Sequence, residues 1–351
     1  MLPKTPATAT SLSREGSVEE VPEEHIQWRV GQTLGDRFVV HSLLGEGTFG
    51  RVLEAKETKS NTVRAVKVVK PYPQCIKEAK IEAKILQKVQ ESDPYNEFHI
   101  LRLVDTFSFN KHFCLVFERL GKSLYDLLER NRFRGFQLAE IQSFAVQILE
   151  SLSFMSSIGL THTDLKPENI LFVNDNFRYC SRTRLYRPVS TEIKIIDFGG
   201  ATFEDEHHSS VINTRHYRAP EVILQQGWGT QSDMWSVGCI LVELYTGEPL
   251  FPFHNDYAHL ALMEKLLGRI PVKMTRNLPY SLKRYFNDKN QLVFSAESEA
   301  EENYIKKSLY LEELIPENDF RDFIAEFLKF IPERRITPAE ALNHRFLSNN
   351  Y

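Results

Sequence analysis

The chain of 351 residues holds only four cysteines, Cys75, Cys114, Cys180 and Cys239. They lie far apart and form no CxxC pair, which excludes a disulfide-stapled scaffold and a cysteine-built metal centre. Free thiols in a reducing compartment are expected. Long apolar runs are also lacking. The longest, around 235–245, is interrupted by Ser236, Gly238 and Glu243 and is too short to cross a bilayer. Residues 1–20 lack the basic-then-apolar plan of a signal peptide, so the sequence reads as that of a soluble intracellular protein. No charge of one sign dominates. Forty-three Lys and Arg against 47 Asp and Glu leave a net charge of −4, which excludes a chain held to nucleic acid by bulk charge but leaves local basic patches open. There is no internal repeat. What is present, 42% hydrophobic and 26% charged residues, excludes a wholly disordered or fibrous protein, and the length predicts two lobes or two domains.

Residues 1–25, rich in Ser, Thr, Pro and Glu, read as a disordered leader. From Phe38 the texture is β: FVVHSLL, RVLEAKE and TVRAVKVV, with a turn at Lys59-Ser60-Asn61. A helix is predicted over 74–89, where Cys75, Ala79, Glu82 and Leu86 recur at three or four residues. Two further strand-like runs, ILRLVDTFSF and HFCLVFERL, close the block near Leu120. Beyond it the signals are mostly helical, over 123–130, 138–158, 233–246, 257–267 and 319–329. The expected architecture is therefore α+β and bilobal, with a small β-rich lobe over 26–120 and a larger, mainly helical lobe over 121–351. Two polar segments interrupt it. Residues 174–192, which carry Arg178, Arg182, Arg184 and Arg187, lie between the strand-like runs ILFV and IKIIDF, and 276–316 has an acidic centre. Neither holds enough apolar residues to bury a core of its own.

The first chemical motif is Gly45-Glu46-Gly47-Thr48-Phe49-Gly50-Arg51-Val52. A GxGxxG string alone fits a dinucleotide fold or a nucleotide-covering flap. A dinucleotide site needs a helix straight after the glycines and an acid about 20 residues on. Here a β-hairpin follows, and no Asp or Glu occurs between Thr58 and Lys77, so a strand-turn-strand flap over phosphates is predicted. Lys67 lies inside a strand, where an unpaired ammonium would be costly. Glu82 on the next helix can pair with it and hold it against phosphate oxygens, with Glu78, one turn earlier, as the competing partner. The strongest signal is His162-Thr163-Asp164-Leu165-Lys166-Pro167-Glu168-Asn169, followed by Asp197-Phe198-Gly199. Phosphoryl transfer needs a carboxylate to orient the attacking hydroxyl and oxygen ligands for Mg²⁺. Asp164, Asn169 and Asp197 supply those groups, and Lys166 can neutralise charge on the transferred phosphoryl.

These motifs, with Ala219-Pro220-Glu221, Asp233-Met234-Trp235 and the late Arg335, resemble those of a eukaryotic protein kinase from about Phe38 to Leu347. The resemblance implies the bilobal kinase fold, ATP and Mg²⁺ as cofactors, and a buried ion pair between Glu221 and Arg335. It further implies that Leu120 meets adenine through its backbone beside Glu118, that Phe117 guards the back of the pocket, and that Asp126 touches ribose. Ala65 and Leu171 would flank the base, and Thr214 would hydrogen-bond Asp164. LTHTDLKPENILFV and DFGGATFEDEHHSSVINTRHYRAPEVIL narrow the likeness to the LAMMER, or CLK, kinases of the CMGC group. The string AHLALMEKLLG departs from that family's namesake EHLAMMER at Ala258, Leu262 and Lys265, which points to a diverged member. The family places a hairpin insertion at 174–192 and a further insertion at 276–316. It also implies dual specificity, Arg/Ser-rich splicing factors as substrates, a monomer, and a nuclear location with some cytoplasmic presence. Neither direct nucleic-acid binding nor a membrane is expected.

Two other functions compete. A pseudokinase scaffold usually lacks the Lys, the catalytic Asp or the metal-binding Asp, but Lys67, Asp164 and Asp197 are all present. An RNA-binding module could be built on the arginines of 174–192, although a solvated charged hairpin explains them equally well.

Overall fold

The computed structural model describes residues 25–206, 211–253, 255–294, 296, 298–349 and 351. The leader expected over 1–25 lies outside the described residues except for His25. The smaller lobe is an antiparallel sheet of β1 (Thr33–Leu34), β2 (Phe38–Gly47), β3 (Gly50–Glu57), β4 (Val63–Val69), β5 (Leu103–Phe109) and β6 (His112–Glu118), in the order β1-β2-β3-β4-β6-β5. The two-residue side-chain period decides what this sheet does. On one face Val66 and Val68 join Phe38, Val40, Leu53, Ala55, Cys114 and Val116 in a small outer core. On the other, Ala65 and Val69 join the main core, and Lys67 between them emerges in the cleft between lobes. Register shifts at Val40/Ser42 and Leu43/Gly45 bend β2 as it approaches its glycines.

Helix α1 (Pro73–Ser92) packs across the cleft face of the sheet, with proline at its first position, where no backbone donor is missed. Its buried stripe is Ala79, Glu82, Ala83, Ile85, Leu86 and Val89, so Glu82 sits where the period calls for an apolar residue. That misfit is the mark of a functional side chain.

The larger lobe follows with α2 (Leu124–Arg130), α3 (Leu138–Ser157), the short strands β7 (Leu160–Thr161), β8 (Ile170–Phe172), β9 (Phe177–Cys180), β10 (Leu185–Pro188), β11 (Ile193–Ile195) and β12 (Thr202–Phe203), then α4 (Pro220–Ile223), α5 (Thr230–Thr246) and α6 (Asp256–Leu267). Helix α5 is buried continuously from Ser232 to Leu244, as suits a helix surrounded by its neighbours. It begins three residues earlier than the sequence suggests, straight after Gly229. Strands β8 and β11 pair antiparallel and carry the catalytic segments at their ends, and β7 pairs with β12. Residues 174–192 hold the hairpin β9–β10, with Leu185 opposite Cys180 and Arg187 opposite Arg178. The polar segment 276–316 contains the helix Glu299–Lys307, begun by a Ser298 side chain that accepts from the Glu301 amide. Among the described residues no helix is long and apolar enough to cross a membrane.

Candidate active site

A cleft of about 630 Å³ opens between the lobes. Its roof is the β2–β3 turn, where Gly47 pairs with Gly50 and the Arg51 guanidinium is held by Glu46 at 3.0 Å. Thr48 and Phe49 form the tip, and Phe49 is exposed. The three glycines have different reasons to be glycine. A Cβ on Gly45 or Gly47 would meet nothing within 4 Å, so these two leave open space over the cleft. A Cβ on Gly50 would lie 2.3 Å from the Val68 carbonyl oxygen, so that glycine permits the close approach of β3 to β4. Val52, Ala65, Phe117, Glu118, Leu120, Asp126 and Leu171 also line the cleft. The Glu118 carboxylate accepts from Lys194 at 2.6 Å and from the Arg102 amide at 2.9 Å. Both bonds fall on Oε1 and fix the side chain beside the cleft. Asp126 uses Oδ2 for the amide and hydroxyl of Ser123, both at 2.8 Å, which leaves Oδ1 open to the cleft.

At the back of the cleft Lys67 Nζ meets Glu82 Oε2 at 2.8 Å and stands 4.0 Å from Asp197 Oδ1. Burial alone would push the ammonium's pKa down, but Glu82 and Asp197 outweigh it and hold Lys67 above the ordinary lysine range. It is a fixed positive charge. The choice left open between Glu82 and Glu78 falls to Glu82, because Glu78 is turned to Gln74 at 2.5 Å on the solvent side.

The second cluster lies below. Asp164 Oδ1 accepts from the Thr214 amide at 2.8 Å and the Thr214 hydroxyl at 2.7 Å, and its Oδ2 accepts from Lys166 Nζ at 2.6 Å. Lys166 also donates to Thr214 Oγ1 at 3.0 Å. Burial would raise the Asp164 carboxyl, but these donors overcome it and hold the group below the usual aspartate range. It is ionised, as a hydroxyl-orienting base must be. The loop that carries it is itself pinned. Asp233, buried at the start of α5, accepts the amides of His162 at 2.7 Å and Thr163 at 3.0 Å. His162 Nε2 meets the Ile196 carbonyl at 2.9 Å. Thr163 adopts φ +73°, a left-handed position that a β-branched residue rarely takes, so the surrounding bonds hold strain there, whereas Asp197 at φ +65° is of a type that tolerates it.

Asn169 donates Nδ2 to the Asp164 carbonyl at 2.9 Å, which leaves its Oδ1 as the atom available to a cation. Asp197 follows directly on Ile196, whose amide donates to the Asn169 carbonyl at 2.9 Å. The Asn169 and Asp197 side chains supply the hard oxygen pair that Mg²⁺ prefers, to be completed by phosphate and water. No group of three or more His, Cys, Asp or Glu suited to a metal occurs among the described residues. The donor set therefore fits a cation shared with a nucleotide rather than one caged by protein.

All the residues proposed from sequence thus fall into two adjoining groups, the nucleotide cleft and the Asp164 cluster. Sequence reasoning missed Lys194, which is 6% exposed and ties β11, just before Asp197, to Glu118 at the junction of the lobes. The signal was the one used for Lys67, a lysine inside a buried strand. It also missed Thr163 Oγ1 donating to the Gly200 carbonyl at 2.8 Å, for which sequence has no signal. Asp164, Lys166 and Thr214 converge only in three dimensions, because Thr214 is 50 residues beyond Asp164.

The family model described as "Protein kinase domain" matches residues 38–347. The chain is 39% identical over 343 residues to "Dual specificity protein kinase CLK1" of Mus musculus, covering 95% of this chain and 70% of that protein. It is 38% identical over 344 residues to "Serine/threonine-protein kinase Doa" of Drosophila melanogaster, covering 94% of this chain but only 41% of the fly protein. A solved crystal structure of a kinase domain superposes with a TM-score of 0.86 at 41% identity, covering 92% of this chain and 99% of the other. The two carboxylate clusters on either side of one cleft therefore belong to a phosphoryl-transfer site, and the chain is a member of the protein kinase family, in the LAMMER/CLK branch of the CMGC group.

Proposed function

We propose that this kinase transfers the γ-phosphoryl group of ATP to Ser, Thr and Tyr hydroxyls of Arg/Ser-rich splicing factors and so regulates pre-mRNA splicing. It would act as a monomer in the nucleus, with a cytoplasmic share. In the step itself Asp164 orients the substrate hydroxyl and takes up its proton. The hydroxyl oxygen forms a bond to the γ-phosphorus as the bond to the bridging β-oxygen breaks, and ADP leaves. Lys67, fixed by Glu82, binds phosphate oxygens of the nucleotide, and Lys166 faces the charge on the transferred group. Thr214 keeps Asp164 from rotating. Mg²⁺, when bound through Asn169 and Asp197, supplies neutralisation of phosphate charge.

The observation that carries the substrate reading is Glu168. It is exposed two residues from Lys166, on the 3₁₀ turn that ends at Asn169, and has no ion-pair partner among the described residues. Its carboxyl is raised by crowding that strips water from it, with Asp164 and Asp126 adding to the effect against Lys166. A guanidinium arriving with a peptide would relieve that repulsion, which a neutral or acidic peptide would not. Glu204, Asp205 and Glu206, all exposed, extend the negative surface along the activation segment. Phosphorylation of a peptide library tests the proposal. Ser flanked by Arg should be preferred over Ser followed by Pro, the preference should weaken with salt, and Glu168→Ala should erode it. A library that favours Pro-directed peptides overturns the reading.

A further inference from the structure

The arginines of the β9–β10 hairpin do not act alone. The side chain of Asn131, at the end of α2, accepts from the Tyr186 amide at 2.8 Å and donates to the Tyr186 carbonyl at 2.9 Å. Arg134 donates to the Arg184 carbonyl at 3.0 Å. These bonds fasten the hairpin to the α2–α3 loop and merge their cations into one patch. Arg130, Arg132, Arg134, Arg182 and Arg184 are all exposed, and none forms an ion pair among the described residues. Arg187, by contrast, is buried and paired with Glu140 at 2.7 Å, so the hairpin's structural arginine is already accounted for. Aromatic faces lie among the free cations. Tyr179 is 56% exposed with its ring 5.3 Å from that of Tyr186, and the Arg130 guanidinium covers Tyr186 at 3.5 Å. The backbone here is also unfavourable for its residues. Arg132, Phe133 and Arg184 have φ of +55°, +55° and +56°, where Gly or Asn would be at ease. These positions close turns, the Phe133 amide donating to the Leu128 carbonyl and the Arg184 amide to the Cys180 carbonyl at 2.8 Å each, and all three side chains are left exposed.

We infer that this patch is a binding site for single-stranded RNA, with the arginines on phosphates and Tyr179 as a stacking face for a base. Five unpaired guanidinium groups in a protein of net charge −4 form a local electrostatic site rather than a general attraction. The exposed tyrosine favours nucleic acid over an acidic or phosphorylated peptide, because stacking on a ring rewards a base and adds little for a carboxylate or phosphate. The inference is independent of which protein substrates the kinase modifies. It departs from the sequence expectation of no direct nucleic-acid contact, because only the fold brings residues 130–134 to the hairpin.

The test is fluorescence anisotropy of the full chain with a labelled single-stranded RNA of about 12 nucleotides. If about five phosphates are neutralised, the slope of log K against log salt is about −3.5, a loss of roughly 100-fold between 50 and 200 mM. Arg182→Glu combined with Arg184→Glu should weaken binding at least tenfold, while kinase activity on a short peptide stays unchanged. Tyr179→Ala should weaken RNA binding about fivefold or more and leave binding of a phosphoserine peptide unaltered. Absence of RNA binding at 50 mM salt overturns the site. So does binding that is indifferent to all three substitutions, or a phosphoserine peptide that binds as tightly as RNA with Tyr179→Ala neutral for both. In the last case the patch is a docking face for a phosphorylated protein.

Discussion

The pairs Arg335–Glu221 and Lys67–Glu82 both join a cation to a carboxylate away from water, and they differ in how many of their bonds are made. Arg335 uses all five of its N–H groups, two on Glu221 at 2.7 and 2.5 Å and three on the carbonyls of Lys329, Gln231 and Phe330. Glu221 accepts once more, from Ser232 at 2.9 Å, and Trp235 lies against the guanidinium. Nothing is left over for a ligand. Lys67 has three donors and makes one hydrogen bond, to Glu82, while Asp197 waits at 4.0 Å. A buried pair that is fully bonded fixes a fold, whereas one left short keeps charge in reserve for what enters the cleft. The same sequence thus places two chemically similar pairs in opposite roles, and the count of unmade bonds tells them apart.

The comparison is tested most severely by removing the charges on the unsaturated side. Asp164→Asn, Asp197→Asn and Lys67→Met should each lower turnover by about 10²–10⁴-fold, with the thermal melting point little changed in the two aspartate variants. A loss under threefold at Asp164 or Asp197 would contradict their roles. Glu82→Gln should follow Lys67→Met in direction, while Glu78→Gln, whose carboxylate faces Gln74, should leave steady-state kinetics as they were. On the saturated side the effect should move to stability. Arg335→Ala strands a buried carboxylate and should cost about 3–5 kcal/mol, read as a shift of the denaturant midpoint. An active, unshifted Arg335→Ala variant would end the distinction drawn above.

Glu243 sharpens the comparison from a third side, as a buried acid with no cation. It is 2% exposed, and its Oε2 accepts from the Tyr217 hydroxyl at 2.7 Å. Burial pushes its carboxyl up to about 7, against the pull of that hydrogen bond. The folded chain therefore keeps a proton that the unfolded chain loses near the ordinary value of 4.5. Stability from this group is fully present below about pH 4.5, falls as pH rises, and levels off above about 7, with a total of at most about 3 kcal/mol. Glu243→Gln keeps the acceptor and removes the titration. The difference between variant and parent in unfolding free energy should grow in the variant's favour from pH 5 to pH 8. A difference that is flat across that range would show that Glu243 is not protonated in the fold.

Much of this site is legible in sequence because its chemistry is compressed into short strings. The turn 45–52 and the run from His162 to Asn169 each carry their geometry within one element. What is not legible depends on rotation or on long-range approach. Glu78 and Glu82 lie one turn apart on the same helix, and only the seating of α1 on the sheet selects between them. The partners of Lys194 and Thr163 lie 76 and 37 residues away, beyond any local pattern. The helix Glu299–Lys307 is a different case, since its signals are local and present in the sequence. Ser298 caps it, Glu299, Glu301 and Glu302 occupy its first turn, and Lys306 and Lys307 its last, an order that matches the helix dipole. The acidic centre of 276–316 is thus a helix N-terminus.

The smallest expected effect concerns switching. Where many kinases have an arginine that pairs with an activation-loop phosphate, Thr163 offers no charge, so phosphate cannot order the loop through this position. The structure shows what takes its place. The Thr163 hydroxyl donates to the Gly200 carbonyl at 2.8 Å, and its own carbonyl accepts the Asn213 amide at 2.9 Å. Both ends of the activation segment are thereby tied to the catalytic loop. The opposing possibility, that Arg215 or Arg218 receives a phosphate, meets arginines already engaged. Arg215 pairs with Asp256 at 2.5 Å, and Arg218 donates to the carbonyls of Ile212 and Asn213 at 2.9 Å each. The candidate phosphosites Ser209 and Ser210 lie outside the described residues, while Thr214 is committed to Asp164. Unphosphorylated enzyme should therefore be active. Phosphatase treatment verified by mass spectrometry should leave kinase activity within about threefold of the starting value, since a surface phosphate pair contributes little beside bonds already made. A loss of more than about tenfold, equivalent to about 1.4 kcal/mol, would mean that phosphate does order this segment and that the bonds of Thr163 do not suffice.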